Sequence, residues 1–122
     1  MYVRLPAKLR PFLDELRDRP LDPPDALRAQ VEGHVKAARE AAAAGGPVDL
    51  KLAERLGKAC LALLADFDRP IAEQRLIQAA CHYFVDSDDE EGDFASMVGL
   101  EDDAHVMNYV LAQVGRDDLV LD

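Results

Sequence analysis

The sequence predicts an all-α protein, a compact single-domain bundle of about five helices with a structured acidic loop between the last two. Its 122 residues fall within the range of one domain, so we treat residues 1–122 as a single helical domain. Its 49% hydrophobic content includes many alanines, only seven aromatic residues and no tryptophan, which favours helix packing over a β-sheet. No segment alternates with a period of two between hairpin signals, and no internal repeat is present.

The first two helices are predicted from apolar spacing and from proline positions. A short amphipathic helix spans the first stretch despite Pro11, with its apolar residues at helical spacing: Leu9, Phe12, Leu13 and Leu16. The second helix has Asp22 as its N-cap and a proline at its first position. It continues through an alanine-rich run to Ala44 and stops at the Gly45-Gly46-Pro47 sequence.

The next two helices are separated by an Asp-Arg-Pro break. The third begins at Asp49 and continues to about Phe67, with a wide apolar face formed by Leu52, Leu56, Ala59, Cys60, Leu63, Leu64 and Phe67. The fourth runs from Ile71 to Val85 and repeats this spacing with Leu76, Ile77, Ala80, Tyr83 and Phe84.

A fifth helix is predicted after the acidic connection. Asp102 or Asp103 supplies its N-cap and Gly115 its stop. Its apolar side consists of Ala104, Val106, Met107, Val110, Leu111 and Val114. We expect the tail at 116–122 to dock on the core through Leu119 and Val120.

Charge is distributed unevenly along the chain. The net charge is −10 overall, but it is +1 for residues 1–40, zero for 41–85 and −11 for 86–122. A strongly acidic segment repels phosphate backbones, which argues against nucleic-acid binding and favours a cation or a basic protein partner.

Two observations bear on the cellular compartment in which the protein is expected. No apolar run reaches the roughly 18 to 20 residues needed to span a membrane, and the charged first twenty residues do not resemble a signal peptide. The two cysteines, Cys60 and Cys81, lie among apolar residues in helical patterns, which favours buried reduced thiols over a disulfide. The expectation is a cytoplasmic protein with no membrane span.

The stretch from Tyr83 to Ala104 is the most distinctive part of the sequence. It combines an aromatic helix end, an Asp-x-x-x-Asp-Phe loop and a Gly-x-x-Asp-Asp-Ala start of the next helix. In this order and spacing it resembles the YkvA-like domain of unknown function, a bacterial helical family, over residues 76–111. The residues that carry the resemblance are Tyr83, Phe84, Asp89, Asp93, Phe94, Gly99, Asp102, Asp103 and Ala104.

The resemblance implies helices around an acidic loop and no particular chemistry, because the family has no settled activity. The sequence departs from the family pattern at three positions. Gly92 and Ser96 stand where prolines usually flank the second aspartate, and Glu101 stands where an apolar residue usually precedes the paired aspartates.

Four aspartates are candidates for a shared site: Asp89, Asp93, Asp102 and Asp103. If they converge, they could bind Mg²⁺ or Ca²⁺ through their oxygen atoms. Alternatively they cap the fifth helix and the loop without any cofactor, which is the interpretation we favour. His82 and His105 lie three or four residues from acids of this segment and could join such a site. The spacing excludes an EF-hand. Neither way of aligning the acidic segment with the EF-hand calcium loop supplies both the glycine that this loop requires and the glutamate at its last position.

No complete catalytic motif is present, so the sequence favours a non-enzymatic interaction or adaptor module. Its binding surface would be the acidic loop, and its partner a protein with a basic surface. The loop acids are Asp86, Asp88, Asp89, Glu90, Glu91 and Asp93. Two alternatives remain open: a divalent-cation site, structural or hydrolytic, and a small acidic inhibitor of the immunity or nucleic-acid-mimic type. The sequence does not fix the oligomeric state.

Overall fold

The computed structural model describes residues 4–66, 68–85 and 100–121. These residues form five α-helices and no strand, which confirms the predicted all-α bundle. A 3₁₀ turn at Ala7–Leu9 precedes the first helix, and another at Asp117–Leu119 follows the last. The helices are α1 (Arg10–Arg17), α2 (Pro24–Ala43), α3 (Leu50–Leu64), α4 (Ile71–Val85) and α5 (Glu101–Gln113).

Helix α4 is at the centre of the bundle, because it packs against each of the other four helices. Helices α2 and α3 form an antiparallel pair along one side, while α1 packs mainly on α4. One continuous apolar core joins all five, and its largest fully buried side chains include Phe84, Leu13, Leu27, Leu56 and Met107. None of the helices among the described residues is long and apolar enough to cross a bilayer.

Two glycines end helices as the sequence predicts. Gly45 follows α2 with a φ of 88°, and Gly115 follows α5 with a φ of 75°. Left-handed backbone of this kind favours glycine because it has no Cβ. The residue after each glycine donates its N–H to a carbonyl five residues earlier, at 2.9 Å in both cases, which satisfies a carbonyl at the helix end.

The predicted bounds of α4 are confirmed, and α3 is three residues shorter than predicted. Asp49 is the N-cap of α3, and its Oδ1 accepts a hydrogen bond of 3.1 Å from the Leu52 N–H. The helix ends at Leu64 with Ala65 as its C-cap, and just beyond it Arg69 Nε donates a 2.8 Å hydrogen bond to Asp66 Oδ2. Phe67 lies outside the described residues.

Two predicted N-caps are wrong. Pro23, not Asp22, is the N-cap of α2, although the first helical position is a proline, Pro24, as predicted. Leu100 precedes α5 and makes no side-chain cap, so neither Asp102 nor Asp103 is the N-cap. In both cases the aspartates have other contacts. Three acids, Glu101, Asp102 and Asp103, lie inside the first turn of α5, where the helix dipole favours negative charge.

The apolar face predicted for α1 is correct except at one position. Leu9, Leu13 and Leu16 are buried, whereas Phe12 is 58% exposed. The chain enters α1 through the 3₁₀ turn, with Pro11 in the first turn of the α-helix, where its missing N–H has no helical partner to lose. The N-terminal part also contacts α5, because Arg10 Nη1 donates a 3.2 Å hydrogen bond to the Tyr109 hydroxyl.

The tail docks on the core, as the sequence predicts. Leu119 and Val120 are half-buried against the core, and Leu121 is buried. Asn108 fixes this position from α5. Its Oδ1 accepts a hydrogen bond of 2.8 Å from the Leu121 N–H, and its Nδ2 donates one of 2.9 Å to the Leu121 carbonyl.

Candidate functional site

The acidic loop that the sequence singles out lies outside the described residues. This applies to its six predicted binding residues, Asp86, Asp88, Asp89, Glu90, Glu91 and Asp93, and so to two of the four predicted cation ligands. Asp102 and Asp103 are described, because they lie in the first turn of α5.

Asp102 and Asp103 lie in different surroundings. Asp102 is on the surface, where its Oδ1 is 3.8 Å from Lys8 Nζ and its side chain is 47% exposed. Asp103 is only 5% exposed and belongs to the buried part of the bundle. Consecutive helical residues point about 100° apart, which accounts for the difference. One of the two carboxylates is therefore exposed on the surface and the other is buried in the bundle.

Asp103 contributes to a buried polar region with the two cysteines. Cys60 on α3 and Cys81 on α4 are both fully buried free thiols, as the sequence predicts. A hydrogen bond to Cys81, burial, and the nearby charges of Cys81 and Asp103 raise the pKa of the Cys60 thiol well above 9.0. A protonated, buried thiol is a poor nucleophile. This region is therefore suited to packing rather than to thiol chemistry.

The three histidines lie in different surroundings. His82 Nε2 is 2.9 Å from Asp22 Oδ2, an ion-pair distance without the alignment of a hydrogen bond. His34 packs edge-on against Phe84, with ring centroids 4.6 Å apart, and His105 is exposed on α5. Within residues 4–66, 68–85 and 100–121, no three His, Cys, Asp or Glu side chains are grouped as a metal site would require.

Within residues 100–121, the exposed acids lie at the two ends of α5. Glu101 is exposed at its N-terminal end, and Asp117 and Asp118 are exposed after its C-terminal end. Arg116 binds both carboxylate oxygens of Asp118, at 3.0 and 3.1 Å, and this hydrogen bonding holds the pKa of Asp118 below its ordinary value. Within residues 100–121, Glu101 and Asp117 are thus the exposed acids that no described cation offsets.

One surface feature was not predicted from the sequence. A groove of about 700 Å³ runs between α2 and α3. The α2 residues that line it, Arg28, Glu32, Val35 and Arg39, recur at helical spacing, so a stripe of alternating charge beside the apolar face was the available signal. Gly57 inside α3 was a second signal, because glycine within a helix often marks a close helix contact.

Comparison with known proteins adds no assignment to this geometry. No protein-family model, curated protein or solved structure matches the chain at a significant level. The resemblance to the YkvA-like family therefore stays a prediction that rests on the residues between Tyr83 and Ala104.

Proposed function

We propose that this protein is a non-enzymatic interaction or adaptor module that binds a basic surface of a protein partner. The observation that carries the proposal is the charge of residues 86–122, which contain twelve acids and one arginine. Oppositely charged surfaces accelerate association and select partners. The same charge disfavours nucleic acid, whose phosphates would be repelled.

The proposed surface combines the predicted loop with the described N-terminal end of α5. Its principal residues are Asp86, Asp88, Asp89, Glu90, Glu91 and Asp93, and the exposed Glu101 extends it onto α5. Lys8 lies beside Asp102 and partly offsets its charge, so Asp102 contributes less. Exposed charges separated by about 10 Å interact only weakly at physiological salt, so neighbouring acids dominate recognition.

The test is capture from a bacterial lysate, followed by binding measurements with the purified partner. The first variant carries Asp88→Asn, Glu90→Gln and Glu91→Gln. A matched control carries Glu15→Gln, Glu40→Gln and Asp68→Asn, which removes the same charge from three exposed positions elsewhere. We expect the first variant to lose the partner and the control to keep it. We also expect Kd for the wild type to weaken about tenfold between low and physiological salt.

Two outcomes would contradict the proposal. The first is a partner whose affinity is indifferent to salt, and the second is equal loss of binding in both triple variants. Equal loss would mean that net charge, rather than the surface at 86–93, governs association.

The other two functions predicted from the sequence use the same residues. A cation site would need Asp89, Asp93, Asp102 and Asp103 together, and it is weakened because Asp102 is exposed beside Lys8 while Asp103 is buried. A small inhibitor of a toxin or nuclease needs the same acidic surface as an adaptor. Its partner would be an enzyme that loses activity on binding, which an activity assay of the captured protein distinguishes.

We propose a bacterial cytoplasmic location for this module. The support is the pair of buried free thiols at Cys60 and Cys81, because reduced cysteines are typical of cytosolic proteins. Fractionation of cells that express the full chain tests this, and recovery with the membrane or with exported proteins would contradict it.

A further inference from the structure

The groove between α2 and α3 has an ion pair at one end. The helices run antiparallel, so the end of α2 lies beside the start of α3. There Arg39 Nε donates a 2.9 Å hydrogen bond to Glu54 Oε2, an ion pair across the two helices. At the opposite end, the groove is lined by Arg28 on the second turn of α2, by Ala62 on the last turn of α3 and by Ala65 just after it. The groove is thus elongated, with a neutral ion pair at one end and a cation at the other.

The floor of the groove is apolar because the two helices approach closely at Gly57. A Cβ added there would lie 2.4 Å from Val35 Cγ2, closer than packed atoms allow. The absence of a side chain at Gly57 therefore lets Val35 reach the α3 backbone. Leu61 and Ala62 continue this floor towards Arg28 and are only half-buried, which leaves apolar surface open in the groove.

Two cationic side chains of the groove lack hydrogen-bond or ion-pair partners among the described residues. Arg28 Nε is buried from solvent and has no hydrogen-bond partner there, and Lys58 makes no ion pair with the described part of the chain. Glu32 is the one acid lining the groove that is not paired with Arg39, and its single negative charge does not offset the charges of both Arg28 and Lys58. The Arg28 side chain as a whole is partly exposed and Lys58 is exposed, so both present positive charge to the groove.

We propose that this groove binds a small organic carboxylate with a linear apolar chain. The carboxylate accepts hydrogen bonds from Arg28 and is attracted by Lys58, while the chain covers Val35, Leu61 and Ala62. A volume of about 700 Å³ is within the range of small-molecule sites, which are mostly apolar with a few polar groups that fix orientation. This site is independent of the acidic surface, and its failure would leave the proposed adaptor function untouched.

The test is an NMR titration of the ¹⁵N-labelled full chain with octanoate at constant ionic strength. We expect saturable amide shifts centred on residues 28–35 and 57–62. Arg28→Gln should weaken octanoate binding about tenfold or more, and Lys58→Gln should weaken it less. Arg75→Gln is the matched control, because Arg75 is an exposed arginine on α4, away from the groove. Octanamide, which has the same chain without the charge, should bind about tenfold more weakly than octanoate.

Three results would overturn the proposal. Shifts that are absent from the groove, or equally large outside it, exclude the site. Equal affinities for octanoate and octanamide, with a folded Arg28→Gln variant unchanged, exclude recognition of the carboxylate. A concentration-dependent dimer in sedimentation experiments that Ala62→Arg dissociates would instead mean that the groove holds a second copy of this chain.

Discussion

At the scale of single residues, two carboxamide side chains each hold one backbone residue in the same way. Gln78 on α4 accepts a 2.8 Å hydrogen bond from the Asp22 N–H and donates one of 2.9 Å to the Asp22 carbonyl. Asn108 on α5 does the same for Leu121. Each amide thereby satisfies both polar groups of a residue that belongs to no helix, so the segments before α2 and after α5 can lie against the core.

Replacement of Gln78 tests the first of these contacts. Gln78 is 7% exposed, so Gln78→Ala removes two hydrogen bonds and leaves the Asp22 backbone groups partly buried without them. We expect a loss of about 2–4 kcal/mol in the free energy of unfolding, measured in urea. Gln113→Ala, at an exposed position of α5, should change it by less than about 0.5 kcal/mol. Equal effects at the two positions would contradict this role.

The Cys60 thiol gives a prediction for pH. Its pKa is raised in the folded protein above its ordinary 9.0, so above that pH the unfolded chain loses a proton that the folded chain keeps. The stabilisation is fully present below about pH 9 and is lost as the pH rises above it, by at most about 1.4 kcal/mol per unit. Urea unfolding between about pH 8 and pH 10 should show a shallower decline in Cys60→Ala than in the wild type. Parallel declines would contradict the assignment.

At the scale of elements, the two mid-helix glycines have opposite roles. An added Cβ at Gly33 on α2 meets nothing within 4 Å, so Gly33→Ala should stabilise the protein by about 0.5–1 kcal/mol through helix propensity alone. At Gly57 the same gain is outweighed by the collision with Val35, because β-branched side chains adjust poorly. Gly57→Ala should destabilise by about 1 kcal/mol. Thermal unfolding of both variants measures the difference. If both substitutions stabilise the protein, α2 and α3 separate easily enough to accommodate a Cβ at Gly57.

Helix limits followed from the sequence wherever local chemistry sets them. Proline at the start of α2, Asp49 before α3, and glycine after α2 and α5 each act within a few residues, so the pattern was sufficient. The N-cap prediction is wrong where the predicted residue is bound by a residue distant in the sequence. Asp22 is held by Gln78, 56 residues away, and no local pattern contains that contact.

The candidate site was less predictable than the helices. The sequence located Asp102 and Asp103 on α5 but could not say which of them faces the core, because that depends on how α5 rotates against α3 and α4. The groove between α2 and α3 also required the packing of two helices. A glycine and a charged stripe signalled it, but neither specifies the orientation of a cation such as Arg28.

At the scale of the whole molecule, Arg69 joins three parts of the bundle. Its side chain is 15% exposed and binds Asp66 before α4, Glu73 within α4 and the Val114 carbonyl at the end of α5, each at 2.8 Å. These acids raise the pKa of the guanidinium, so it stays charged. Arginine can reach three acceptors because its donors are spread over a planar fork. The α3/α4 corner and the end of α5 are fixed together by this one side chain.

The cation alternative makes a prediction for global stability. If Asp89, Asp93 and Asp103 bind a divalent ion, millimolar Mg²⁺, Ca²⁺ or Mn²⁺ should raise the midpoint of thermal unfolding by mass action, and Asp89→Asn should abolish the rise. Asp102→Asn should leave the rise in place, because Asp102 is beside Lys8 on the surface. No rise with any of these ions would eliminate the alternative and leave Asp103 with a structural role only.

The packing of α1 on α4 has a consequence during synthesis. Roughly fifty residues separate the end of α1 from the start of α4, and the α2/α3 pair lies between them. At about 5–20 residues per second, the ribosome completes α4 several seconds after α1 has been made. The apolar side of α1, with Leu9, Leu13 and Leu16, therefore lacks its main native partner over that interval. A nascent chain that ends before α4 therefore exposes a leucine-rich segment to chaperones. Helices α2 and α3, in contrast, can pair with each other as soon as both have left the ribosome.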